Sequence, residues 1–199
     1  MPHPSDKIAS LIGSRICHDL ISPVGAVANG LELMELSGQP QSPELSLVAE
    51  SAAHASARIQ LFRLAFGEAA PGQTVAGHDV AGIVDIVYRP GRVAVTWDAP
   101  GEYPRWQAKA ALLALMCAEL TLAGGGRIGV TQARDRWRIG AMGARLTPDP
   151  DLWNILTGAP APEGVTPAAV QFVLLPQVLA KNGVNCNAQV SGNKLEISF

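Results

Sequence analysis

Cysteine is scarce in this chain. Its three cysteines among 199 residues, Cys17, Cys117 and Cys186, are an odd number without metal-ligand spacing, which argues against a disulfide scaffold and against a structural zinc site. Cys17 and Cys117 fall inside apolar helical patterns, where a free thiol behaves as a small buried hydrophobe. Charge is thin as well: charged residues make up 16% of the chain and the formal net charge is -2. Such a balance gives no overall attraction to nucleic acid or to an acidic membrane, so a charge-guided partner has to be recognised by a local patch. Long hydrophobic runs are missing too, since no stretch approaches the roughly 18 uncharged apolar residues of a membrane helix. The opening residues MPHPSDK lack the basic-then-apolar order of a secretory signal. A cytoplasmic protein is expected, with neither a membrane nor nucleic acid as partner.

What is present is a globular composition, 48% hydrophobic, with length for one large or two small domains. There is no internal repeat. Two long helices are expected over residues 5–67. Ser5 is placed to cap the first, and Asp6 puts negative charge at its positive end. Ile8, Ile12, Ile16, Leu20, Val24, Val27, Leu31 and Met34 recur at three-and-four spacing and form one apolar stripe, which runs to about Leu36 before Ser37-Gly38-Gln39-Pro40 ends it. A second helix opens near Pro43 and continues through Phe66 until Gly67. Two helices cannot enclose a core alone, so two such hairpins are expected to pair as a dimeric four-helix bundle. The alternative is a monomer whose stripe packs on the rest of the chain.

Residues 67–72 are small, rich in Gly and without periodicity, and read as a linker between domains 1–70 and 71–199. Beyond it, helices are expected over 78–88, 106–122, 149–157 and 167–182, and strands over 92–97, 127–131 and 136–142. A terminal hairpin, 185–190 with 194–199, turns at Gly192-Asn193. Antiparallel strands mixed with helices predict an α+β protein whose second domain is a two-layer α/β sandwich.

His18 is the residue most suited to chemistry. Helical geometry sets it nearly opposite the apolar stripe, on a face shared with Ser14, Ser22, Gly25 and Asn29. Small or polar neighbours leave room for another protein to approach. Imidazole titrates near neutral pH and is a nucleophile toward phosphorus, and the adjacent Asp19 can orient the ring or accept its proton. Pro23 bends the helix one turn further on. Arg15, one turn before His18, can steady a phosphate. Arg134, Arg136 and Arg138 alternate as on one face of a strand, where a basic row would attract an acidic partner. Arg58 and Arg63 of the second helix either flank the His18 surface or are plain solvated helix residues, and His3, His54 and His78 read as surface or structural ones.

The string Ser14–Pro23 resembles the phosphorylated box of dimeric sensor histidine kinases, in which an acidic residue follows the histidine and a proline lies five residues after it. His18, Asp19, Ser22 and Pro23 match; Ile21 departs from the usual basic residue. RICHDLISPVGAVANGLEL, Arg15–Leu33, is similar to the ChpT family of bacterial histidine phosphotransferases, and the likeness extends over the chain, with a C-terminal domain resembling a histidine-kinase ATP-binding domain. The resemblance implies that His18 carries a phosphoryl group between receiver-domain aspartates, with Asp19 and Ser22 assisting and Arg15, Ser14, Ile21, Gly25 and Asn29 meeting the partner; the three alternating arginines are a further expected contact on charge alone, the alternative being a solvated edge or turn. It implies a homodimer, with the receivers of a hybrid kinase and of response regulators as partners. No bound cofactor is expected, and Mg²⁺ would come with the receiver.

The departures from a working kinase point the same way. Cys117 stands near the position of the metal-holding Asn. Ile139-Gly140-Ala141-Met142-Gly143 replaces the adenine motif that begins with Asp, and Val165–Gln171 replaces the glycine-rich lid. Gly124–Gly126 reads as a helix-to-strand turn. Autophosphorylation from ATP is therefore not expected. The competing readings are a kinase with a divergent nucleotide site and a non-catalytic dimeric adaptor that docks receivers.

Overall fold

A computed structural model describes residues 4–37, 43–134 and 136–199, leaving aside the side chains of 4–11, 13, 14, 17, 18, 21, 28, 35 and 37. Two long helices come first, α1 (Pro4–Ser37) and α2 (Pro43–Ala65). They pack antiparallel along much of their length. They approach closely at Gly30, where a β-carbon would run into the side chain of Val48. The apolar stripe of α1 divides in two. Ile16 packs against the core of the rest of the chain. Further along, Val24 and Leu31 are 57% and 50% exposed.

After α2 come β1 (Thr74–Ala76), α3 (Gly77–Tyr88), β2 (Val93–Asp98), β3 (Glu102–Pro104) and α4 (Arg105–Thr121). They are followed by β4 (Gly126–Ala133), β5 (Arg136–Met142), α5 (Pro150–Leu156), a 3-10 turn at Pro167–Ala169, α6 (Val170–Lys181), β6 (Asn187–Ser191) and β7 (Lys194–Ser198). The main sheet has order β2-β4-β5-β7-β6, with β2 and β4 parallel and the other pairs antiparallel; β1 and β3 form a separate two-stranded ribbon. Strand alternation sends Ile128, Val130, Trp137, Ile139, Leu195 and Ile197 inward and leaves Arg127, Arg136, Arg138, Lys194 and Glu196 exposed. The inward set meets α4, whose Ala108 and Ala110–Ala118 are all buried. Each fully buried Leu of that helix contributes about 1.5–3 kcal/mol of hydrophobic stabilisation. Trp137 sits 4.9 Å from Tyr103 and 5.7 Å from Trp97, ring centre to ring centre, and its indole N–H donates to Gln107 Oε1 at 3.0 Å.

The mixed α+β architecture agrees with the sequence reading, and the long helices begin and end close to their expected limits. The three-residue strands β1 and β3 were not foreseen, because three residues cannot display a period. The expected helix 167–182 is a 3-10 turn followed by α6. Gly125 has φ 87° and Gly126 φ 157°, and a β-carbon on Gly125 would lie 2.8 Å from the carbonyl oxygen of Arg92. The glycines thus make a tight helix-to-strand turn.

The two parts of the chain are joined by more than residues 67–72. Ala57, Leu61, Phe62, Leu64 and Ala65 of α2 belong to the same buried cluster as α4 and the sheet. Arg105 Nη2 donates to Arg63 O at 2.8 Å and Lys109 Nζ to Gly67 O at 2.8 Å. These cations of α4 cap the unpaired carbonyls at the C-terminal end of α2.

Candidate functional site

α1 carries the residues of the candidate site. His18 lies in the middle of this helix, and its side chain, like those of Ser14 and Ile21, is outside the described residues. Around it, Ser22, Gly25 and Asn29 are exposed, and a β-carbon on Gly25 would meet open space. Pro23 lies within the helix and is buried.

Asp19, the neighbour of His18 in sequence, has a side chain only 9% exposed. A carboxylate so withdrawn from water needs cationic partners. Arg15 Nε donates to Asp19 Oδ2 at 2.7 Å, and Arg58 Nη1 of α2 lies 3.5 Å from the same oxygen. Arg15 also reaches across to the second part of the chain, where Nη1 donates to Ala168 O at 2.8 Å. The 3-10 turn is fixed in its turn by Gln171, whose Nε2 donates to Ala168 O at 2.7 Å.

Two clefts open on either side of the Asp19–Arg58 pair. One, of about 600 Å³, lies between the hairpin, α3, α4 and the 3-10 turn; Arg15, Arg92, Tyr88 and Glu119 line it. The other, of about 690 Å³, is lined by Ser22, Pro23, His54 and the end of α3 at Ile86, Arg89 and Pro90. Asp19 and Arg58 line both. In the first, the Tyr88 hydroxyl donates to Glu119 Oε2 at 2.8 Å. Burial pushes the Glu119 carboxyl above its usual range, opposed by the Tyr88 hydrogen bond and by Arg58 and Arg15. Burial likewise raises the Tyr88 phenol, with Glu119 adding to the effect.

Glu119 and Tyr88 were not singled out by sequence reasoning, whereas Arg58 was named as a residue that can flank the His18 surface and does lie at Asp19. Glu119 did carry a signal, as the single carboxylate in the apolar run of α4. The basic row is corrected by the structure. Arg134 sits in the β4–β5 turn with φ 51°, so only Arg136 and Arg138 share a strand face, and Arg138 Nε lies 3.4 Å from Glu196 Oε1. Their face of the sheet is turned away from α4 and α6, whereas α1 packs against the 3-10 turn and α6. The arginine row and the His18 turn therefore lie on opposite sides of the second domain.

His54 Nε2 is 3.2 Å from Val87 O, tying α2 to α3. Burial raises the thiols of Cys117 and Cys186, the latter to about 11, which removes both as thiolate nucleophiles near neutral pH. Among the described residues no cluster of His, Cys, Asp and Glu could hold a metal ion, and no helix is long and apolar enough to cross a membrane.

The family described as histidine phosphotransferase C-terminal domain matches residues 77–194. The protein phosphotransferase ChpT of Brucella abortus (strain 2308) is 33% identical over 170 residues, covering 82% of this chain and 81% of that protein. The chain belongs to the ChpT-type histidine phosphotransferases. A solved bacterial phosphotransferase, 28% identical, matches the phosphotransferase over 100% of this chain and 98% of its own, with a TM-score of 0.79. It therefore works as a histidine phosphotransferase of a phosphorelay, and the turn of α1 that holds Asp19 between two guanidinium groups is the candidate place for that chemistry.

Proposed function

We propose that His18 is the phosphoryl carrier and that it accepts the group from the aspartyl phosphate of one receiver domain and passes it to the aspartate of another. The observation that carries this reading is the Asp19 carboxylate, next to His18 in sequence, fixed by Arg15 and Arg58 where two clefts meet. In the first step a ring nitrogen of His18 attacks phosphorus, a P–N bond forms, and the acyl P–O bond breaks to release the receiver carboxylate. In the second, a carboxylate oxygen of the next receiver attacks and the P–N bond breaks. Asp19 orients the ring, while Arg15 and Ser22 face the phosphoryl oxygens. Ser14, Ile21, Gly25 and Asn29 form the approach surface. The receivers supply Mg²⁺ and much of the charge stabilisation; this chain contributes position and nucleophile.

ATP is not the phosphoryl donor on this reading. Cys117 is fully buried in α4, Ile139 is fully buried in β5, and residues 167–181 form a 3-10 turn and helix in place of a glycine-rich lid. None of these positions offers a metal ligand, an adenine acceptor or a phosphate cradle. Residues 1–70 form the transfer hairpin and 71–199 a degenerate kinase-like domain, in a cytoplasmic homodimer. Exposed aliphatic residues on the hairpin support the dimer.

The deciding experiment presents a receiver labelled on its aspartyl phosphate to wild type and to His18→Gln. Label is expected on wild type alone; equal labelling of both rejects His18. Incubation with labelled ATP and no receiver is expected to leave the protein unlabelled, and label on His18 there favours a kinase.

A further inference from the structure

The outer face of the main sheet carries a groove that neither the relay nor the core explains. Gly129 of β4 and Gly140 of β5 are cross-strand partners, and Gly140 is paired in turn with Glu196 of β7. Their neighbours Ile128, Val130 and Ile139 are buried, so alternation turns both glycines outward. The result is a floor of bare backbone. The cross-strand row Arg127–Met142–Lys194 walls it on one side, Gln189, Ser191 and Glu196 belong to the same lining, and the groove encloses about 490 Å³.

Nothing inside the protein requires glycine at either position. Neither has a positive φ. A β-carbon on Gly140 would meet no atom within 4 Å, and one on Gly129 would meet only Thr96 Oγ1 at 3.5 Å, an ordinary contact. By contrast, a β-carbon on Gly143 would come within 2.7 Å of Leu122. Glycine weakens the interior of a strand, and its remaining use there is to let another backbone or a ligand come close. The walls say what kind of ligand. Arg127 and Lys194 in the lining are exposed, and the carboxylate of the lining, Glu196, has its own cation in Arg138 just outside it, 3.4 Å away. Met142, 38% exposed, adds an apolar contact. The sheet tryptophans offer nothing to a nucleotide base from this side, because Trp97 packs tilted against Trp137 and Tyr103 meets Trp137 edge-on inside the fold; stacking platforms are what single-stranded nucleic acid needs.

We propose that this groove docks an acidic segment of a partner protein, its backbone lying close over Gly129 and Gly140 and its carboxylates reaching Arg127 and Lys194. The surface lies across the sheet from α4 and α6, so a partner held here leaves α1 open. The inference does not depend on His18.

The test follows the backbone amides of Gly129 and Gly140 by NMR in the full chain at low salt. The probe is a short synthetic peptide of Glu, Ala and Leu, with an oligouridylate of matched charge as the competitor. Saturable shifts at both glycines are expected with the peptide. Gly140→Val is expected to fold with an unchanged or higher Tm, to transfer phosphoryl groups as wild type does, and to weaken peptide binding about tenfold or more. Lys194→Glu is expected to weaken binding similarly and decides the matter alone if Gly140→Val fails to fold. Absence of shifts at the two glycines, undiminished binding in the variants, or tighter binding of the oligouridylate at this groove overturns the proposal.

Discussion

Arg58 stands on α2 next to a residue of the shared core, Ala57, and is itself committed to the site. Its guanidinium lies 3.5 Å from Asp19 and lines both clefts, and its Nε is buried with no hydrogen-bond partner among the described residues. An unfilled donor costs free energy unless another group uses it, and a phosphoryl oxygen is a strong acceptor. Arg58→Ala is expected to slow transfer from a phosphorylated receiver about tenfold or more, and Arg58→Lys to recover part of the loss, because lysine keeps the charge but not the planar fork. Rapid-quench rates of label transfer check this; three equal rates take Arg58 out of the site. Glu119 makes a second residue-scale prediction. Its carboxyl is raised above the usual 4.5, first by burial. The folded state thus favours the protonated form, so this group's stabilising contribution is complete below the unfolded value and is lost as pH climbs through the raised one. Urea midpoints of wild type are expected to fall relative to those of Glu119→Gln as pH is increased from 4.5. Curves that stay parallel across that window count against a buried, raised carboxyl.

The capped end of α2 is an element-scale device. Lys109 Nζ bonds Gly67 O at 2.8 Å and approaches Phe66 O at 3.4 Å, and burial lowers its ammonium from the ordinary range. The cost of burying that charge is met by carbonyls with no partner in their own helix. Lys109→Met keeps the aliphatic stem and removes the donor, and is expected to lower stability by about 1–3 kcal/mol in urea denaturation. No change would mean that the capping bonds contribute nothing. α1 and α2 were legible in advance because their apolar periods run for many turns and end at Gly and Pro. β1 and β3 were not, being three residues each. Arg134, Arg136 and Arg138 looked like one row because alternation in sequence does not reveal where a strand stops; the left-handed turn takes Arg134 out of it. The contacts that fix the candidate site were beyond reach for a different reason. Arg15 meets Ala168 across 153 positions, and no local pattern encodes such a meeting.

For the molecule as a whole, the far half of the hairpin is where large apolar side chains lie open to solvent. Ile16 packs on the shared core, which is what a monomer would require, but the stripe continues beyond the reach of the second domain. Val24, Leu31, Leu33, Leu36, Leu45 and Leu47 are all exposed, a concentration of large aliphatic side chains that a soluble surface does not ordinarily carry. Pairing with a second hairpin would bury them without disturbing α4 or the sheet. The double variant Val24→Glu, Leu31→Glu puts charges into that seam. Sedimentation at micromolar concentration is expected to give twice 20.8 kDa for wild type and a single chain for the variant, with helical circular dichroism largely kept because α2 remains anchored in the core. A wild type that sediments as one chain rules the dimer out; a variant that still pairs places the seam elsewhere on the hairpin. Because the outer groove of the sheet is remote from α1, it should bind its acidic peptide equally well in both forms, which separates loss of assembly from loss of fold.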